Sequence, residues 1–211
     1  MKFKQFLNEM AYPSDFSFDE MMQNTSYQKK LRYANRYLRR LASGSSRTVF
    51  LVDNEKVLKI AKNDKGLAQN AAESDWGLQQ YPLMAKIFEV SEDYKDIGPF
   101  WLEMEFAKKV SNSRFQQLTG MTINELTFLL NYRFKYQKSI KDLNERYKKL
   151  VNDEGFYYEL EKLIADYDFP HGDFTKISSF GEVIRDGKPA IVIVDAGLTK
   201  NVWDEYYKRA D

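Results

Sequence analysis

Four charged residues stand where their side chains could work together: Lys59 in "VLKIAK", Glu73 shortly after it, Asp173 in "HGD" and Asp195 closing "AIVIVD". The chemistry that needs such a set is phosphoryl transfer. That reaction is mostly positioning and charge stabilisation, so few parts are required. A turn of small residues must approach the phosphates, and a cation must hold their oxygens. One carboxylate must orient the attacking hydroxyl and another must hold Mg²⁺. Each part has a candidate, and the candidates follow a consistent order along the chain.

Ser43-Gly44-Ser45-Ser46 is the turn, where Gly44, Ser45 and Ser46 let backbone N–H groups come close to phosphate. Lys59 alternates with Val57 and Ala61 on one face of a strand, from which an ammonium could reach phosphate oxygens. Glu73, on the following helix, could pair with Lys59 and fix it. His171-Gly172-Asp173 lies in a loop, a common place for catalytic groups. There Asp173 could orient a hydroxyl, while His171 reads as a loop organiser. Asp195 ends a very apolar strand, where a charge is costly without a partner, and Mg²⁺ is a suitable one. Taken singly, each has a plainer reading: a hairpin loop, a surface lysine, a solvated glutamate, a capping aspartate.

These residues need a scaffold. Phe3, Phe6, Leu7 and Met10 fall at helical spacing, and Pro13 breaks that pattern. A second helix is expected from Asp19 to about Tyr37. Strands are expected at Leu38–Ala42, Thr48–Val52 and Lys56–Ala61, with a tight Asp53-Asn54 turn, then a helix over about Lys65–Gly77. Two further strands, Met84–Val90 and Pro99–Phe106, flank the polar "SEDYKDIG". Beyond Gly120, Thr122 and Glu125 form a capping-box signature. Leu129, Tyr132, Tyr136, Ile140, Leu143, Tyr147 and Leu150 follow at steps of three and four, predicting one long amphipathic helix over Thr122–Val151. Asn152 can cap another helix, about Glu154–Tyr167, ended by Pro170. "EVIRDGKPAIVIVD" then reads as strand, Asp-Gly turn, strand.

In this order the parts resemble a protein-kinase-like fold, and the "HGD" form is similar to aminoglycoside and choline phosphotransferases. The resemblance spans about Leu38 to Gly197, and its most specific part is "HGD" followed by a hairpin ending "IVIVDAG". It implies a bilobal α+β fold: leader and helices over 1–37, a small β-rich N-lobe over 38–110 and a reduced helical C-lobe over 111–211. It also implies ATP and Mg²⁺ as cofactors. Lys59 would hold the phosphates, Glu73 would position Lys59, Asp173 would be the catalytic-loop aspartate and Asp195 the metal ligand. Glu103, Glu105 and Phe106 would lie in or near the adenine hinge. The chain departs from the pattern in three places. Its glycine-rich loop is reduced to Gly44. Ser178 or Ser179 stands where a metal-binding asparagine belongs. The segments that usually build a protein-substrate platform are largely missing.

With 32 basic and 31 acidic residues, the whole chain shows no global signal for nucleic acid or an anionic membrane. Cysteine is absent and histidine occurs once, which removes disulfides, a Cys nucleophile and the usual zinc sites. No apolar run approaches the ~20 residues that span a bilayer, so a soluble, intracellular protein is expected. "MKFKQFLNE" resembles the leader of internal head proteins of T-even-like bacteriophages, which are cut after a Leu/Ile-x-Glu site, here Leu7-Asn8-Glu9. That resemblance implies packaging in a virion and delivery to the host cytoplasm; a helix docked on the domain is the other reading. The leading expectation is ATP·Mg²⁺-dependent transfer to a hydroxyl, on a host protein. AMP transfer, an inactive pseudokinase acting as a binding module, and a structural head protein are the alternatives.

Overall fold

The computed structural model of the protein describes residues 12–151 and 154–208. The leader with its Glu9 site, and Asn152, lie outside the described residues. The architecture is α+β, with antiparallel pairing between all named strands. The chain divides into two compact units: residues up to Ser74 with Lys86–Phe106, and Asp75–Ala85 with the residues from Ala107 on.

The first unit opens with helices α1 (Phe18–Gln23) and α2 (Tyr27–Tyr37). Sequence periodicity predicts one helix here. Two form because Asn24 is extended and closes the first, while the Ser26 side chain accepts from the Lys29 N–H and starts the second. Strands β1 (Arg39–Ser43), β2 (Arg47–Leu51) and β3 (Lys56–Ala61) follow, then helix α3 (Asp64–Glu73) and β4 (Ile87–Val90). A two-residue-strand hairpin, β5 (Asp93–Tyr94) with β6 (Gly98–Pro99), occupies the polar stretch before β7 (Trp101–Glu105). The sheet order is β1-β2-β3-β7-β4. The Asp53 carboxylate accepts from the N–H groups of Glu55 and Lys56 and so builds the β2–β3 turn. Phe16, Met21, Ala34 and Leu38 from the N-terminal segment share one core with Phe50, Leu58, Ile60 and Leu67. Helix α3 lies hard against the sheet at Gly66, where a Cβ would sit 2.2 Å from the Ser46 carbonyl oxygen.

The second unit contains β8 (Lys108–Lys109), α4 (Asn112–Thr119), α5 (Ile123–Leu130), α6 (Glu145–Lys148), α7 (Phe156–Tyr167), β9 (Phe180–Arg185), β10 (Lys188–Ile193) and α8 (Lys200–Tyr206). The capping box at Thr122 and Glu125 forms as the sequence predicts. The long helix does not. After α5 the chain passes through a π turn at Asn131–Lys135, and Gln137 then takes a left-handed φ of 52°. Ser139 and Asn144 cap a short 3₁₀ turn and α6. The spacing of three and four persists because the short pieces turn most of its apolar residues to the same core. Leu129 and Leu143 are buried in it, Tyr132, Ile140, Tyr147 and Leu150 pack against it, and Tyr136 alone of the seven is exposed. The Asp-Gly hairpin forms as predicted, with positive φ at both Asp186 and Gly187 and unbroken register from Arg185↔Lys188 to Phe180↔Ile193. Among the described residues, no helix is long and apolar enough to cross a membrane.

Candidate functional site

The candidate residues form two clusters, one in each unit. In the first unit, β3 holds Lys59 between Val49 of β2 and Leu102 of β7. Glu73 ends α3 and is fully buried. The Lys59 ammonium donates to both carboxylate oxygens of Glu73, at 2.9 Å each. The pairing expected from sequence order is therefore present, although neither residue is at the surface as the plainer reading would have it.

A second cation shares that carboxylate. The Arg47 guanidinium, also buried, donates to Glu73 Oε2 at 2.6 Å and to Asn70 Oδ1 at 3.3 Å. Asn70 in turn donates from Nδ2 to the Pro99 carbonyl at 2.9 Å. A buried carboxylate with one cation carries a large desolvation cost; two cations and a fixed amide offset it. Neither Arg47 nor Asn70 is singled out by the sequence, since an arginine opening a strand has no motif around it.

The small-residue turn is held by its own neighbours. Lys62 donates from Nζ to the Gly44 carbonyl at 2.6 Å, and Asn63 donates to the Ser45 carbonyl at 3.1 Å. The Ser46 hydroxyl is buried and donates to Gln69 Oε1 at 2.6 Å. Gly44 has ordinary φ and room for a Cβ, so its conformation does not demand glycine.

The residues expected at the adenine hinge are engaged within the sheet. Glu103 is buried in β7, bridged to Lys56 at 2.9 Å and accepting from the Tyr12 hydroxyl at 2.8 Å. Burial and the Glu103 charge push the Tyr12 phenol far above its usual range. The Glu105 carboxylate accepts from the Lys86 N–H, and the Phe106 N–H donates to the Glu55 carbonyl at 2.7 Å.

In the second unit, α7 ends at Asp168 in a left-handed conformation, and Pro170 leads into a 3₁₀ turn over His171–Thr175. Phe174 is buried and anchors the turn in the core. His171 reaches Asn131 Oδ1 at 3.3 Å and stacks on Phe134. Burial, then the Lys135 charge, lowers its pKa below the ordinary 6.5. A neutral, pinned imidazole fits the role of loop organiser.

Asp173 is half-buried, with its N–H on the Pro170 carbonyl. Its pKa is raised, first by burial and then by the Asp195 charge, against a smaller opposite effect of Lys176. The two aspartates are thus in electrostatic reach of one another. Ser179 ties their segments: its hydroxyl donates to the Asp173 carbonyl at 2.5 Å, and its own carbonyl accepts from the Val194 N–H at 3.0 Å. Ser179 therefore serves as a strut. Ser178 is exposed, and Asp195 is exposed just beyond β10.

Among the described residues, no group of three or more His, Asp or Glu side chains is arranged to hold a metal. Asp173 and Asp195 supply the kind of donor Mg²⁺ takes, since it is commonly bound by one or two carboxylates together with substrate phosphates. No protein-family model matches the chain, and no curated protein shows significant similarity to it.

Proposed function

We propose that the protein is an ATP·Mg²⁺-dependent phosphotransferase with a kinase-like bilobal fold, acting on a hydroxyl group of a protein. The observation that carries this reading is the pair of clusters taken together. A strand lysine meets a buried helix glutamate in one unit, and in the other unit Asp173 and Asp195, on a loop and a hairpin tied by Ser179, feel each other's charge. A lone salt bridge or a lone hairpin aspartate would not single out this chemistry.

In this reading Lys59 binds phosphate oxygens of ATP, and Glu73 and Arg47 keep its ammonium in place. Asp195 is the ligand for Mg²⁺, which when bound offsets phosphate charge. Asp173 accepts the proton of the acceptor hydroxyl as the new O–P bond forms and the bond from the γ-phosphorus to ADP breaks. Its raised pKa makes it a better proton acceptor than an exposed carboxylate. The resemblance of the first residues to head-protein leaders supports a bacteriophage protein that meets its target in the host cytoplasm.

A second reading, a pseudokinase that binds without transfer, is favoured by the engagement of Ser46 and Glu103 inside the first unit. The serine in place of the metal-binding asparagine points the same way. Thermal unfolding separates the two. A working site predicts a rise in Tm with ATP and Mg²⁺ together that exceeds the effect of either alone, and that is lost in Asp195→Asn. No shift in the wild-type protein would sink the proposed function. A shift by ATP that is indifferent to Mg²⁺ and to Asp195 would favour the binding module.

A further inference from the structure

The balanced charge of the chain conceals a strong local asymmetry. Residues 21–52 contain seven Lys/Arg and no Asp or Glu, while the rest of the sequence holds 25 basic against 31 acidic residues. Two of the seven are internal: Lys30 donates to the Met22 carbonyl and faces the Tyr94 and Phe100 rings, and Arg47 is held by Glu73. The other five, Lys29, Arg32, Arg36, Arg39 and Arg40, are exposed. Among the described residues, none of these five has an acidic partner within salt-bridge distance.

Their arrangement is regular. Helix α2 turns Lys30, Ala34 and its partly buried Tyr27, Leu31 and Tyr37 toward the sheet core. Its outer face therefore carries Lys29, Arg32 and Arg36 in one row, with steps of about 4.5 and 6 Å along the axis. Arg39 and Arg40 begin the edge strand β1, whose residues are all exposed. Alternation on a strand sends these two to opposite faces, so about four cations can meet one partner.

We propose that this face binds the phosphate backbone of nucleic acid, without sequence preference. The side chains interspersed on the outer row are Gln28 and Asn35, which are polar and exposed. A folded protein partner would be expected to find an apolar anchor at the centre of its footprint; the helix row has none, and the one large apolar side chain exposed on β1 is Leu41, past the two arginines at the end of the patch. The helix cannot insert in a bilayer, because its apolar side is already spent on the sheet. Arginine supplies most of the patch, and its planar fork matches phosphate oxygens. The net negative remainder of the chain would repel a polyanion and direct it to this face.

The test is fluorescence anisotropy with the full chain and a labelled 20-base-pair DNA duplex across a salt series. Four phosphate contacts predict a slope of log K against log[salt] of about −3.6, or roughly a 10²-fold loss from 50 to 200 mM salt. Arg32→Gln/Arg36→Gln/Arg39→Gln/Arg40→Gln should weaken binding more than tenfold at 50 mM salt and flatten the slope by about 3. Its Tm and its response to ATP with Mg²⁺ should stay as in the wild type, so this result is separable from the fate of the phosphotransfer reading. Lys108→Gln/Lys109→Gln, a change to an exposed pair in the other unit, should leave binding intact. A wild-type slope shallower than −2 would overturn the proposal. So would equal losses in both variants, or tighter binding to polyglutamate or phosphatidylserine vesicles than to the duplex.

Discussion

At the scale of single residues, Glu73 and Asp173 are charged groups with opposite fates. Glu73 is fully buried and answered by Lys59 and Arg47. Glu73→Gln leaves two buried cations without their charge partner and should cost about 3–5 kcal/mol of stability. Lys59→Met should cost less, about 1–2 kcal/mol, because Arg47 still meets the carboxylate. Denaturant unfolding of the two variants checks that order, and the reverse order would show that Arg47 is not an effective second partner. Asp173, in contrast, is ionised at a price in stability. Its pKa is higher in the folded chain than the ordinary 3.8, so the folded state binds the extra proton. Stability from this group is gained as pH falls from neutrality through that raised value, and is complete below the unfolded value. Asp173→Asn should therefore raise Tm at pH 7 while abolishing transfer. The Tm difference from wild type should shrink as pH approaches 4. A variant that is destabilised at pH 7, or a difference independent of pH, would contradict this account.

Elements decide how those residues are held, and glycine contacts show how closely. A Cβ at Gly66 would lie 2.2 Å from the Ser46 carbonyl oxygen and 3.0 Å from Ala61 Cα, both backbone atoms that cannot rotate away. Gly66→Ala should push α3 from the sheet, costing about 1–3 kcal/mol and loosening the Lys59–Glu73 contact. In the transfer assay it should lower the rate, although Gly66 has no side chain to take part in the reaction, because both α3 and the Ser46 turn must shift. Gly172→Ala is the matching control for stability, since its Cβ meets nothing within 4 Å. Equal loss of stability in both would mean that the close approach of α3 to the sheet is not what matters. The elements also show what the sequence does and does not make legible. The hairpin before Asp195 was readable because Asp186-Gly187 specifies its turn, whereas the helix expected over about Lys65–Gly77 runs from Asp64 only to Glu73. The break after α5 was hidden. Three short pieces facing one core produce the same spacing as one long helix, and the only local signals are Gln137, Ser139 and Asn144.

At the scale of the whole molecule, order along the chain proved more informative than any single motif. Lys59 and Glu73 were legible as a pair because a strand lysine was followed by a helix glutamate. Arg47 and Asn70, which complete their cluster, were not, because their partners are brought to them only by folding. Whole-chain charge misled in a related way: a near-zero sum of 32 and 31 concealed the one-sided segment over residues 21–52. The central claim is phosphoryl transfer, and it is tested most directly with γ-labelled ATP and Mg²⁺ incubated with the full chain and a bacterial lysate. The account predicts label on protein with the wild type, none with Asp173→Asn or Asp195→Asn, and none when only the α-phosphate is labelled. Label from α-labelled ATP would reveal AMP transfer instead, and no wild-type labelling, or undiminished labelling by Asp173→Asn, would contradict the account.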